Sequence, residues 1–253
     1  KDQDQSDGLH PAAHPARWSR CRLRDQSKIQ LHARPTAQAR TPARSIAAVA
    51  RHAARDPARR ACVLRRVRDD RAGCAVLLDV ANSLTRRDGG PTVHIVFSTQ
   101  EEFNLRGALS AAQALKPDIA IQIDLMLASD TPDAVDLGEM YLGCGPGMSM
   151  YSFHGRGTLN GVLPHPALVS LFEHAAKDAR VGLQKSAQVG VLTDLSYVQH
   201  VGKGVAAIDL GFPMRYSHSS LEVCQLSDLE DLAALLVAGL ARIGPDFLLK
   251  RLV

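Results

Sequence analysis

The chain has 253 residues, of which 45% are hydrophobic, 22% are charged and 4% are aromatic. This size and composition suffice for one sizeable domain or two small ones. It contains no run of 18 apolar residues, so a membrane protein is not expected. The five cysteines are odd in number, widely spaced and without a C-x-x-C motif, which disfavours a disulfide framework and favours a reducing, cytoplasmic location.

The net charge of +4 conceals two different segments. Residues 1–68 hold 16 basic and 5 acidic residues, a net charge of +11, and are rich in Arg, Ala, Pro and His. Residues 69–253 hold the other 14 basic and 21 acidic residues, a net charge of −7. Because the basic segment has few large apolar residues to offset the entropic cost of ordering, we expect it to be disordered.

The apolar periodicity after Asp69 predicts helices that alternate with strands. The predicted helices are residues 72–84, 106–115, 166–179, 194–201 and a last helix that starts with a capping box, Ser227 and Glu230, and ends at Gly244. The predicted strands are residues 92–98, 119–124, 147–154 and 205–210. This alternation indicates an α/β fold with a mainly parallel central sheet flanked by helices.

Acidic and imidazole side chains follow several of the predicted strands. Glu101 and Glu102 come after the stretch 92–98, which is apolar enough to predict a strand buried on both faces. Asp124 ends the next strand, and His218 follows the last one. Open α/β sheets bind ligands at the carboxyl ends of their strands, and mixed carboxylate and imidazole ligation suits Zn²⁺ or Co²⁺. One glutamate could bind a metal while its neighbour moves a proton, although a simple turn or cap role stays open for each residue.

Several motifs after Asp69 identify a family by their order and spacing. They are Asp69-Asp70-Arg71 with Gly73 and Cys74, Thr99-Gln100-Glu101-Glu102 with Leu105-Arg106-Gly107-Ala108, Ile123-Asp124, Ala128-Ser129-Asp130-Thr131-Pro132, Gly143-Cys144-Gly145-Pro146-Gly147, Thr193-Asp194 and Arg215-Tyr216-Ser217-His218-Ser219. With these motifs, residues 69 to about 243 resemble the M42 family of metallo-aminopeptidases. The resemblance implies the zinc-peptidase α/β fold, with residues 69–253 as a partial catalytic domain.

The resemblance also implies a role for each matching residue. Asp69 would bridge two divalent metal ions, zinc or cobalt. Glu102 and His218 would complete one metal site, and Asp124 would serve the other. Glu101 would be the general base for a water that the two metals activate, in the hydrolysis of N-terminal residues from peptides. Adjacent residues of an extended chain point in different directions, so Glu102 can face a metal while Glu101 reaches the water.

Three further residues are expected to contact the substrate. Arg215 and Tyr216 adjoin the predicted ligand His218, and Asp194 belongs to the Thr193-Asp194 motif. The family has Gly-Gly-Thr-Asp-Ala where this chain has Gly190-Val191-Leu192-Thr193-Asp194-Leu195, so its substrate preference is expected to differ.

The first 68 residues depart from the family. The second metal site of the family uses a histidine from an upstream His-x-Asp motif, and residues 1–68 contain no such motif. Our hypothesis is that this segment is a GC-rich stretch read in a shifted frame, which would impair the site. The family also forms large homo-oligomers, but the inserted domain that builds them is not evident here, so the sequence does not predict such an assembly.

Two alternatives to the aminopeptidase stay open. A related metal-dependent amidase or deacetylase could use the same residues, because a metal pair can serve any amide. An inactive or non-catalytic binding protein could instead contact nucleic acid through its basic arm, since a segment of net charge +11 would bind phosphates. Trp18 is the one aromatic residue in that arm, so base stacking is poorly supported, and peptides rather than nucleic acid are the expected partner.

Overall fold

The computed structural model describes residues 69–84, 90–154, 161–247 and 249, and the backbone of residues 62–65. The predicted disorder of residues 1–68 lies outside the described residues, apart from a short strand at Cys62–Arg65. The helices are α1 Arg71–Ser83, α2 Arg106–Leu115, α3 Pro166–Ala179, α4 Leu195–Val198 and α5 Leu226–Arg242, with a turn of 3₁₀ helix at Val135–Leu137. The strands are β1 Cys62–Arg65, β2 Ile119–Leu127, β3 Gly147–Phe153, β4 Gly161–Val162, β5 Gln184–Val189, β6 Ala206–Arg215 and β7 Glu222–Gln225.

The seven described strands form one mixed sheet. Its order is β1-β7-β6-β3-β4, with β2 paired to β6 and β5 paired to β3. The pairs β2–β6 and β3–β5 are parallel, and the other pairs are antiparallel. The predicted α/β class is confirmed, but the sheet is mixed rather than mainly parallel, because β3 runs antiparallel to β6 and further antiparallel pairs are added by the short strands β1, β4 and β7. Their brevity also explains why the periodicity of the sequence did not reveal them.

Strand β6 lies at the centre of the sheet and is covered on both faces. Residues 206–214 are all buried. One face packs against α1, α3 and α5, in a core that includes Val76, Phe172 and Leu232. The other face packs against α2 and α4 in a smaller cluster. The predicted arrangement of helices on both sides of a sheet is therefore confirmed, and the two layers fix the carboxyl ends of β2 and β6.

The prediction of a buried strand over residues 92–98 is wrong. The segment forms no strand with any described residue, and Val96 and Phe97 are 40% and 39% exposed. A strand requires a hydrogen-bonded neighbour, and the described part of the chain places none beside this segment. An apolar sequence can indicate that a segment needs to be buried, but it does not identify the neighbouring element that buries it.

Smaller corrections concern the ends of elements. Strand β2 continues to Leu127 and β6 to Arg215, whereas the helix predicted over 194–201 is only the single turn of α4. The capping-box prediction is wrong, because Gln225 is the N-cap of α5 and Ser227 lies inside the helix. No helix within the described ranges is long and apolar enough to cross a membrane.

Candidate metal and active site

Three of the predicted metal ligands meet beyond the carboxyl ends of the central strands. One ligand atom from each of Asp69, Glu102 and His218 lies within 4.8 Å of the other two. Nε2 of His218 is 3.2 Å from Oδ2 of Asp69 and 3.5 Å from Oε1 of Glu102. Two carboxylates and one imidazole at this spacing fit a divalent cation such as Zn²⁺ or Co²⁺. These residues are 33 to 149 positions apart in sequence, so the fold itself builds the cluster.

Asp69 is placed by the start of α1. The next residue, Asp70, is the N-cap, and its Oδ1 accepts a hydrogen bond of 2.7 Å from the backbone N–H of Gly73. A Cβ on Gly73 would lie only 1.9 Å from Oδ2 of Asp70. Glycine is therefore required for this cap, which accounts for Gly73 in the Asp-Asp-Arg-x-Gly motif and anchors Asp69 at the helix start.

Glu101 and Glu102 lie in a tight loop that leads into α2. The backbone N–H of Leu105 donates to the carbonyl of Glu101 over 2.8 Å, and Gln100 and Leu105 both have left-handed backbone angles, with φ of 60° and 57°. The loop lies close against the helix, because a Cβ on Gly107 would be 2.4 Å from the carbonyl oxygen of Thr99. The loop is thus held by its own hydrogen bonds and by α2, and it pairs with no strand of the part of the chain that the structure describes.

His218 lies in the connection between β6 and β7. Its φ of 60° is left-handed, and its backbone N–H donates to Oε1 of Glu222 over 3.2 Å. Glu222 is almost fully buried, at 3% exposure. The imidazole itself is 64% exposed, so a buried carboxylate holds the backbone of a ligand whose side chain faces solvent.

The fourth predicted ligand, Asp124, is not part of the three-residue cluster. Its Oδ1 accepts from the backbone N–H of Leu125 over 2.7 Å, and its Oδ2 accepts from Nε2 of Gln122 over 3.1 Å. It is nevertheless near enough to interact electrostatically with Asp69 and Glu101. Asp124 thus lies near the cluster but is not one of its members, and its role as a ligand of a second site stays a prediction.

Burial and mutual repulsion perturb the carboxyl groups around the cluster. Burial first, and the charge of Glu102 second, raise the pKa of Asp69 to about 6. Burial is also the main cause that raises the pKa of Asp70 to about 7. Burial, followed by the charges of Asp70 and Asp69, raises the pKa of Asp124 well above its ordinary value. A bound cation would relieve this crowding of like charges.

Glu101 is half-buried beside the cluster and is not one of its three members. Burial raises its pKa to about 7, and the charges of Asp194, Glu102 and Asp69 contribute in that order. A carboxyl group whose pKa lies near neutrality can exchange protons efficiently at physiological pH.

The three predicted substrate contacts have different surroundings. Tyr216 is 55% exposed next to the cluster. Nε of Arg215 donates to Oδ1 of Asp130 over 2.6 Å, so an acidic partner orients its guanidinium. Asp194 is buried, and its Oδ2 accepts a hydrogen bond of 2.9 Å from Oγ of Ser98.

Sequence reasoning missed several buried or half-buried acidic residues that support the site. Asp70 and Glu222 hold the backbone near two ligands, and Asp130 holds Arg215. Asp209 is fully enclosed against Thr193, whose Oγ1 donates to it over 3.1 Å. Only Asp70 carried a local signal, the glycine three residues later. The other contacts join residues distant in sequence, or follow from a loop shape that the sequence does not show.

Comparison with known proteins agrees with this geometry. The sequence profile of the M42 glutamyl aminopeptidase family matches residues 47–235, which is more than half of the chain. The chain belongs to the M42 family. The resemblance inferred from the motifs is therefore confirmed, and the match begins upstream of Asp69, inside the basic segment.

Curated relatives match over a limited part of their own length. SgcX from Escherichia coli (strain K12), which is named as an aminopeptidase, is 39% identical over 170 residues, covering 67% of this chain and 46% of the relative. Lysyl aminopeptidase from Pyrococcus furiosus is 30% identical over 181 residues, covering 71% of this chain and 49% of the relative. The chain spans about half the length of the curated relatives it matches.

Solved structures confirm the fold. Aminopeptidase APDkam598 from the archaeon Desulfurococcus kamchatkensis superposes with a TM-score of 0.68 at 31% identity, over 74% of this chain and 51% of that one. The TET1 peptidase of Pyrococcus horikoshii gives a TM-score of 0.59 at 27% identity, over 70% of this chain and 49% of that one. TET1 is described as assembling into a tetrahedron or a large octahedral shell.

Proposed function

We propose that the chain carries the catalytic residues of a metal-dependent aminopeptidase that removes N-terminal residues from peptides. The main support is the convergence of Asp69, Glu102 and His218, with Glu101 next to them, in a member of the M42 family. The loop that carries the two glutamates places one carboxylate inside the three-residue cluster and leaves the other outside it.

In this proposal, Asp69, Glu102 and His218 would hold one divalent cation, zinc or cobalt. Asp124, together with Asp69, would serve a second cation. When bound, the cations supply Lewis acidity that acidifies water and polarises the peptide carbonyl. The donor set supports this assignment, because the four residues offer carboxylate oxygens and one imidazole nitrogen. Two of the carboxyl groups, those of Asp69 and Asp124, also have a raised pKa.

Glu101 is the proposed general base. Because it stands outside the cluster, its carboxylate keeps its basicity and can take a proton from the attacking water. The same group then returns the proton to the leaving amine.

Asp194 is proposed to contact the substrate. Its Oδ2 accepts a hydrogen bond from Oγ of Ser98, and its charge contributes to the raised pKa of Glu101. Tyr216 would contact the substrate side chain from its exposed position, and Arg215, oriented by Asp130, would contact the peptide backbone.

Metal content and peptide hydrolysis, measured on wild type and Glu101→Gln, test the proposal. We expect zinc or cobalt to bind both proteins equally, while hydrolysis of aminoacyl-4-nitroanilides falls by about 10²- to 10⁴-fold in the variant. Glu230→Gln is the matched control, because Glu230 is exposed on α5. Equal activity of Glu101→Gln and wild type would refute the role of Glu101.

The substrate and the metal count separate the remaining alternatives. An aminopeptidase should cleave alanyl-4-nitroanilide and reject its N-acetylated form, whereas a general amidase or deacetylase should accept the acetylated substrate. A stoichiometry of one metal per chain in an active enzyme would contradict the two-metal part of the proposal.

A further inference from the structure

Gln122 connects two parts of the site that are far apart in sequence. It lies two residues before Asp124 in β2, so the two side chains share one face of the strand. Its Nε2 donates to Oδ2 of Asp124 over 3.1 Å, and its Oε1 accepts from the backbone N–H of Leu195 over 2.9 Å. We propose that Gln122 is a positioning residue that fixes the carboxylate of Asp124 for metal binding, an inference that rests on the proposed function.

The chemistry of the two contacts fixes the orientation of the amide. A backbone N–H of Leu195 can donate only to Oε1, and an ionised Asp124 can accept only from Nε2. Rotating the amide by half a turn would break both hydrogen bonds. Gln122 is therefore locked in one orientation by a donor on one side and an acceptor on the other.

Asp124 is consequently held on both of its oxygens. The backbone N–H of Leu125 donates to Oδ1 over 2.7 Å, while Gln122 donates to Oδ2. Each carboxylate oxygen has a second lone pair, so either can still bind a cation. Two donors on different oxygens prevent the carboxylate from rotating, which is how groups behind a ligand set its direction.

The other contact of Gln122 links Asp124 to the base. Leu195 begins α4, and the preceding Asp194 accepts a hydrogen bond from Ser98, three residues before Glu101. Gln122 thus connects β2 to the start of α4, and the neighbouring Asp194 in turn contacts the segment before Glu101. A glutamine that only satisfied polar groups in the interior would not need to contact a predicted ligand.

Gln122→Met tests the role, because methionine keeps the length of the side chain and makes neither hydrogen bond. Gln199→Met is the matched control. Gln199 is also half-buried and donates through Nε2 to the carbonyl of Gly161, but it follows the far end of α4 and does not contact Asp124. The measurements are the zinc dissociation constant by isothermal titration, the visible absorption spectrum of the cobalt-loaded protein, and the unfolding midpoint in urea.

We expect Gln122→Met to weaken zinc binding at the affected site by about 10- to 100-fold and to change the cobalt spectrum. Gln199→Met should leave the zinc affinity and the cobalt spectrum unchanged, even if it lowers the urea midpoint. If Gln122 acts through Asp124, adding Gln122→Met to Asp124→Ala should cause no further loss of zinc affinity.

Three results would overturn the inference in distinguishable ways. Wild type that binds neither zinc nor cobalt would refute the proposed function and the inference with it. Wild type that binds metal, together with a Gln122→Met protein of the same affinity and spectrum, would refute the positioning role alone. An equal loss in the presence and absence of Asp124 would also refute it, because the effect would then not pass through that carboxylate.

Discussion

Replacing Gly107 with alanine should force apart α2 and the loop that carries Glu101 and Glu102. The added Cβ would lie 2.4 Å from the carbonyl oxygen and 2.6 Å from the amide nitrogen of Thr99. Both are backbone atoms, so the contact cannot be relieved by rotating a side chain. Either the strain stays in the folded protein or the loop moves.

The magnitude follows from two opposing terms. Forcing an extra methyl group into a packed site costs about 1–3 kcal/mol, and a contact with two backbone atoms below 3 Å belongs in the upper half of that range. Replacing glycine by alanine inside a helix returns at most about 1 kcal/mol. We therefore expect Gly107→Ala to lower the free energy of unfolding by about 1–2 kcal/mol. If the loop moves instead, the same free energy appears as a 5- to 30-fold loss of zinc affinity, because Glu102 is displaced.

Urea unfolding of the variant measures the loss of unfolding free energy, and zinc titration of the same protein samples measures the loss of zinc affinity. Gly244→Ala is the matched control, because a Cβ on Gly244 meets no atom within 4 Å. That variant should be as stable as wild type or slightly more stable, with unchanged zinc affinity. The reasoning would be refuted if Gly107→Ala matched Gly244→Ala in both measurements, since the close approach of Thr99 would then have no consequence.

Two further predictions concern the carboxylates of Asp130, which is half-buried, and Asp228, which is buried. The hydrogen bond from Arg215 holds the pKa of Asp130 below its ordinary value of 3.8, so ionised Asp130 stabilises the fold at neutral pH. We expect wild type to be more stable than Asp130→Asn in urea above pH 3.8, and this difference should disappear as the pH falls through the lowered pKa. Urea unfolding at several pH values measures it, and a difference independent of pH would contradict this assignment. Asp228 is fully buried and accepts from the backbone N–H groups of Gly143 and Gly145 over 2.8 and 3.0 Å. Asp228→Ala should therefore lower the unfolding free energy by about 2 kcal/mol, whereas the exposed control Glu230→Ala should not, and equal losses would show that the two hydrogen bonds do not matter.

Sequence reasoning predicted the long elements because their periodicity is strong. The bounds of α2 and α3 agree with the predicted 106–115 and 166–179, and the central strands are found where the apolar runs place them. It failed for residues 92–98, where an apolar run indicated burial but the described structure offers no neighbouring strand. The hydrophobic pattern of a segment indicates whether the segment needs to be buried. Whether it pairs as a strand depends on which other segment lies beside it.

Sequence reasoning also predicted only some of the site residues. Asp69, Glu102 and His218 could be chosen because their motifs carry the resemblance, and the fold brings them together. The residues that orient them could not. Glu222 and Gln122 act through contacts to a left-handed loop and to a distant helix start, and neither contact has a fixed spacing in sequence.

The capping box at α5 shows the same limit on a small scale. Ser227 and Glu230 have the spacing of a capping box, but the N-cap is Gln225, two residues before Ser227. In the same first turn, Asp228 accepts from the backbone N–H groups of Gly143 and Gly145, a tertiary contact that no local motif indicates.

The acidic groups around the cluster link metal binding to the stability of the fold. Asp69, Asp70, Glu101 and Asp124 all have raised pKa values, and burial is the largest cause for each. The folded chain therefore holds these carboxylates in a less favourable environment than the unfolded chain does. A divalent cation bound to the folded state offsets that cost and shifts the folding equilibrium by mass action. On the proposed function, metal binding would therefore stabilise the folded chain as well as supply the chemistry.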